Sequence, residues 1–157
     1  MANILPSRPR QFTNRRTFVV VASQYNGVLV DGLLDHFRRE METIAPGSNI
    51  ITYRVPGAFE IPIAVQEIAS RGGIEAVVAL GVIIEGETAH AALIGGSVTE
   101  SLQRIALATR VPVIHEVLLV KDDEQARARC LGEELNRGTE AARVAVQMAQ
   151  AMGEIRR

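Results

Sequence analysis

At 157 residues and 47% hydrophobic, the chain is long enough for one domain with a sizeable core, but not for two. Its 17 Lys and Arg against 18 Asp and Glu leave a formal charge of -1, so no net field draws it to nucleic acid or a membrane surface. No apolar run reaches the roughly 18 residues that span a bilayer, and the lone Cys130 excludes an intrachain disulfide, which suits a reducing cytoplasm.

Residues 1–16 stand apart. They hold Arg8, Arg10, Arg15 and Arg16 with Pro6 and Pro9, and no acidic residue. They lack the apolar middle of a secretory signal. They read as a flexible basic arm, lying on a neighbouring subunit or in solvent, ahead of a single domain over 17–157. With no Trp and 4% aromatics, that domain must have an aliphatic core.

Thr17–Ala22 is a short β-branched run and predicts a first strand. After the loop Ser23–Asn26, Val30, Leu33, Leu34, Phe37 and Met41 share one face of a helix over about 28–43. The breakers Ala45–Ser48 end it. Asn49–Val55 alternates in part, as a strand near a sheet edge does. Pro56-Gly57 turns the chain, and Ala58–Glu60 leads into a second helix, stopped by Gly72-Gly73.

Ala76–Ile84 is apolar throughout, the mark of a strand covered on both faces of a parallel sheet. A helix follows over about 91–109. Val113–Val120 is a fourth strand, 124–130 a short helix and 139–153 a last one, with Gly138 just before it. Strands alternating with helices predict an α/β three-layer sandwich. Its four-stranded parallel sheet, in flavodoxin-like order, is flanked by helices. Ligands of such sheets bind outside the carboxyl ends of the strands.

The stretch Leu80–His90 joins the most apolar strand to a helix through Gly86. Free amides and the positive end of a helix dipole meet there, and both favour an anion, phosphate above all. The same residues, Gly86, Glu87 and Thr88, also suit an ordinary helix start capped by Thr88. His90 is placed either to move protons beside a bound anion or to make a structural hydrogen bond.

Glu60 is either a grip for a polyol or amide or a first-turn carboxylate. Tyr25 either stacks on a flat ring or covers the core edge. Arg127, Arg129 and Arg137, interspersed with glutamates, fit a solvated ion-pair surface. His115 and Glu116 interrupt an apolar strand, as a buried pair, a site or a subunit contact would. There is no Walker loop, no Gly-x-Gly-x-x-Gly, no zinc-type His/Cys cluster and no nucleophile elbow.

Four blocks taken together are more specific: Ser23–Asn26, Val55-Pro-Gly-Ala-Phe-Glu-Ile-Pro62, Gly81–His90 and Asn136–Ala142. In order and spacing they resemble the 6,7-dimethyl-8-ribityllumazine synthase family of riboflavin biosynthesis, from about Thr17 to Met152. The resemblance implies condensation of 5-amino-6-ribitylaminouracil with 3,4-dihydroxy-2-butanone 4-phosphate, without metal or organic cofactor.

By the same resemblance, Tyr25 stacks on the pyrimidine, and Asn26, Ala58, Phe59 and Glu60 line the ribityl and ring pocket. Backbone at Ile83 and Ile84 meets the ring edge. Gly86, Glu87 and Thr88 hold the phosphate with Arg129, and His90 is the catalytic histidine. Arg137 stands near the same substrate, where the family commonly has lysine, and His115 lies over its ring, where the family has phenylalanine. Ala91-Ala92 and Gly95-Gly-Ser97 also depart from the family pattern. The resemblance further implies a pocket shared between subunits of a pentamer or an assembly of pentamers, and riboflavin synthase as a partner. The competing reading is a catalytically weak or inactive relative that acts as a flavin- or lumazine-binding or a shell-forming protein.

Overall fold

The structure is a computed structural model and describes residues 3–157. Its elements are β1 (Thr17–Ser23), α1 (Gly27–Ile44), β2 (Asn49–Val55), a single 3-10 turn (Ala58–Glu60), α2 (Ile61–Arg71), β3 (Ala76–Ile84), α3 (His90–Thr109), β4 (Val113–Val120), α4 (Asp123–Cys130) and α5 (Arg137–Ile155). All strand pairs are parallel, in the order β2-β1-β3-β4.

This is the expected three-layer sandwich. Phe18, Val20, Val78 and Leu80 face α1, α4 and α5 across the sheet. Val21, Val77 and Ala79 face Ile61 and Val65 of α2 and Val98 and Leu102 of α3. Because both faces of β1 and β3 are covered, neither strand alternates, whereas β2, on the edge, leaves residues such as Ile51 and Tyr53 exposed.

Three boundaries move for physical reasons. The second helix splits, with Ala58–Glu60 wound as a 3-10 turn and Pro62 in the first turn of α2, where its missing N–H costs nothing. α3 begins at His90. α5 begins two residues earlier than its apolar stripe suggests, because Asn136 caps it, so Gly138 lies inside the helix and not before it. A Cβ at Gly138 would run into the Leu33 carbonyl, so α1 and α5 cross at a distance only glycine permits.

The described part of the N-terminal segment lies along the chain's own helices. Arg143 donates to the Pro6 carbonyl (2.7 Å), Gln147 to Ser7 (3.0 Å) and Gln150 to Arg10 (2.6 Å). Phe12 N–H donates to the Ile44 carbonyl at 2.7 Å. Arg8 and Arg143 share the carboxylate of Glu40 (2.7 and 3.1 Å). Burial alone would push Glu40 up, but the two guanidiniums outweigh it and hold the carboxyl below its usual range.

Candidate active site

From β1 the chain steps outward to β2 on one side and β3 on the other, so the sheet's switch point lies between β1 and β3. A cleft of about 450 Å³ opens there, at the carboxyl ends of the strands. The loop after β1 supplies Tyr25 and Asn26, the turn after β2 supplies Gly57 to Glu60, and the end of β3 supplies Val82 to Ile84. Gly86, Thr88, His90, Ala91 and Ile94 close it from the α3 side.

Each wall has a local cause. The Tyr25 N–H donates to the Pro56 carbonyl (2.9 Å), which pins the two loops together and leaves the ring 74% exposed. Asn26 takes the left-handed conformation (φ 56°), which asparagine tolerates better than most residues. There its side-chain amide donates to the Val82 carbonyl at 2.8 Å, tying the end of β1 to β3 across the switch point. The carboxylate of Glu60 folds back over Gly57, where a Cβ would meet Oε2 at 3.0 Å.

The turn before α3 is unusually unsatisfied. Ala89, at the cap position, offers no side-chain acceptor, and Thr88 Oγ1 receives only the His90 amide, at a long 3.4 Å. The exposed amides of Gly86, Glu87, Thr88 and Ala89 find no hydrogen-bond partner among the described residues. A 20-residue helix begins at this point. Free N–H groups at the positive end of a helix dipole suit an anion. His90 stands exposed at the first helical position, its side chain beside this turn and on the cleft.

Four expected site residues lie elsewhere. Glu87 belongs to the same exposed turn without lining the cleft. Arg129 lies on α4, beside Gly132 to Leu135. His115 is on the free edge of β4, bonded to Thr99 of α3 (2.7 Å).

Arg137 is a correction. It is fully buried and donates to Glu140 at 2.6 Å, so it is no part of a solvated ion-pair surface. The cause is Asn136, itself fully buried, which draws the first turn of α5 into the core. Glu116 sits against Glu140, and its carboxyl is pushed up to about 9 by burial first and by Glu140 second. His115 and Glu116 are therefore not a pair, because successive strand residues face opposite ways.

Sequence reasoning missed Val82, whose contribution is a backbone carbonyl, and Ile94, which shares the buried apolar stripe of α3 while also reaching the cleft. It also missed Thr99, whose partner lies 16 residues away on another element. A separate groove of about 550 Å³ follows the free edge of β4, walled by Leu107, Val113, Val144 and Met148.

Fold and cleft together define a parallel α/β protein of flavodoxin-like topology, with an uncapped helix start at its switch point. A sequence model of the 6,7-dimethyl-8-ribityllumazine synthases matches residues 15–153. Curated proteins of that name from Burkholderia multivorans and Paraburkholderia phymatum are each 40% identical to this chain over 131 residues, 83% of it and 74% of their own length. One from Burkholderia vietnamiensis is 39% identical over the same share of this chain and 75% of its own. The chain belongs to the 6,7-dimethyl-8-ribityllumazine synthase family, transferases of riboflavin biosynthesis.

Proposed function

We propose that the chain condenses 5-amino-6-ribitylaminouracil with 3,4-dihydroxy-2-butanone 4-phosphate to give 6,7-dimethyl-8-ribityllumazine. One observation carries the reading: three strand-end loops and the uncapped start of α3 converge on a single cleft, whose lining includes Tyr25, Asn26, Glu60, Gly86, Thr88 and His90. Tyr25 stacks on the pyrimidine, and Asn26, Ala58, Phe59 and Glu60 receive the ribityl chain. The backbone of Ile83 and Ile84 pairs with the ring edge.

The phosphate docks on the amides of residues 86–88. The substrate amine attacks the ketone, and water leaves as the imine forms. His90 takes a proton from the carbon next to the imine, and the phosphate departs with the C–O bonding pair, stabilised by the amides that held it. The ribityl-bearing nitrogen then closes the ring with loss of a second water. Proton transfer by one imidazole supplies about 10²–10⁴ of the rate, and holding two substrates in contact supplies much of the remainder.

Among the described residues no Lys or Arg lines the cleft, although a leaving phosphate calls for one. A homo-pentamer meets that need by bringing Arg129 from the adjacent subunit, along with His115 to cover the ring. The apolar groove on the unpaired edge of β4 supports such a contact. The protein then works in the cytoplasm on small-molecule substrates.

Mixing both substrates with purified protein is the test. Appearance of lumazine absorbance and fluorescence is expected, and its absence from folded, assembled protein overturns the reading.

A further inference from the structure

Both ring nitrogens of His115 are engaged by the chain itself. Thr99 Oγ1 donates to the Gly95 carbonyl (2.7 Å) and also stands 2.7 Å from His115 Nε2. A hydroxyl has one proton, and Gly95 takes it, so Nε2 must carry the hydrogen of the second bond. On the other side of the ring, the Val117 N–H donates to Nδ1 at 3.1 Å, so Nδ1 must be bare. Two independent bonds assign one state: neutral, with the proton on Nε2.

The surroundings keep it so. Partial desolvation against α3 lowers the pKa of His115, while the residue keeps an exposed face. Glu100, next to Thr99, pairs with Arg104 (2.6 Å), and Glu116 lies on the opposite face of β4 against Glu140. Arg110 borders the same groove without bonding the ring.

We propose that Thr99 is a positioning residue for the aromatic substrate: it presents His115 as a fixed, uncharged plane without a free polar edge, on which the pyrimidine in the adjacent subunit's cleft stacks. This rests on the reading that places His115 of one subunit over its neighbour's cleft. An imidazole covered by a ring with its N–H unpaired would lose a hydrogen bond to water. Here that bond is made in advance within the protein, so the imidazole offers its face as a phenyl ring would.

The test is a double-mutant cycle on the assembled protein, read as KM and kcat, with 15N spectra of His115. Thr99→Val should raise KM for ribitylaminouracil about three- to tenfold, the worth of one ordinary hydrogen bond, with kcat little changed. Thr99→Ser should restore KM. In a His115→Phe background Thr99→Val should have no effect, since a phenyl ring has no N–H to hold. The wild-type spectrum should show the single Nε2–H tautomer, and Thr99→Val a mixture.

An unchanged KM, an equal rise in the Phe background, or a charged or Nδ1-protonated ring in the wild type each overturns the proposal. If wild-type protein makes no lumazine, the parent reading falls and the platform with it, whereas turnover without coupling between Thr99 and His115 sinks the platform alone.

Discussion

Two helix starts in this molecule were built in opposite ways. α5 opens under Asn136, which is fully buried and makes four bonds. Its Oδ1 accepts from the amides of Gly138 and Thr139 (2.8 and 3.4 Å), and its Nδ2 donates to the carbonyls of Cys130 and Gly132 (both 2.9 Å). α3 opens on Ala89 with no side-chain cap, its preceding amides free and exposed. The first helix start is closed and holds the fold together, while the second is left open at the mouth of a cleft. Orphan N–H groups at a helix start must be met by something. Where the chain itself does not meet them, a ligand can.

The sharpest way to break the comparison is His90→Ala at the open end. Turnover should fall by about 10²–10⁴, while the thermal midpoint stays nearly unchanged, because the side chain is exposed and its ring is unbonded. Steady-state rates and a melting curve on the same sample check both halves. A non-catalytic binder would keep its ligand affinity and have no rate to lose.

At the closed end, Asn136→Ala strands backbone groups at four contacts. A loss of about 3–5 kcal/mol in denaturant unfolding is expected, at a distance from the cleft. A loss under 1 kcal/mol would show that α5 does not depend on its cap.

The most gradual effect, the smallest at any one step of pH, concerns the carboxyl buried beneath the first turn of α5. The folded pKa of Glu116, about 9, lies above its ordinary 4.5. The unfolded chain therefore gives up this proton first, and stability declines as pH rises from about 4.5 to about 9. The slope is at most about 1.4 kcal/mol per pH unit. Glu116→Gln should flatten that decline. Parallel wild-type and variant curves of unfolding free energy against pH would mean that Glu116 ionises normally in the fold.

Much of the architecture was legible in local pattern. Ala76–Ile84 could only be a strand covered twice, and the Gly86 turn after it could only lead to a helix. The cleft was legible too, since strand-end loops of a parallel sheet must converge, and Tyr25, Asn26, Ala58 to Glu60 and His90 all reach it. Arg137 was not legible. A guanidinium in a polar stretch reads as a surface or ligand group, and it goes inside only because the buried Asn136 cap and the close crossing of α1 and α5 at Gly138 draw the first turn of α5 into the core. Nor was the strap over residues 6–12, whose bonds run from its backbone carbonyls to side chains 137 to 140 residues further along the chain.

Taken alone, the order of residues determined what repeats locally: strand and helix periods, breakers, and the glycine turn that leaves amides bare. Those depend on neighbours within a few positions, where backbone sterics and hydrophobic spacing act. Tertiary structure decided which charges are buried, which imidazole tautomer is held and which helix start is sealed. Each of these depends on a partner from a distant part of the chain. Burial and hydrogen-bond satisfaction exist only once those partners have been packed together.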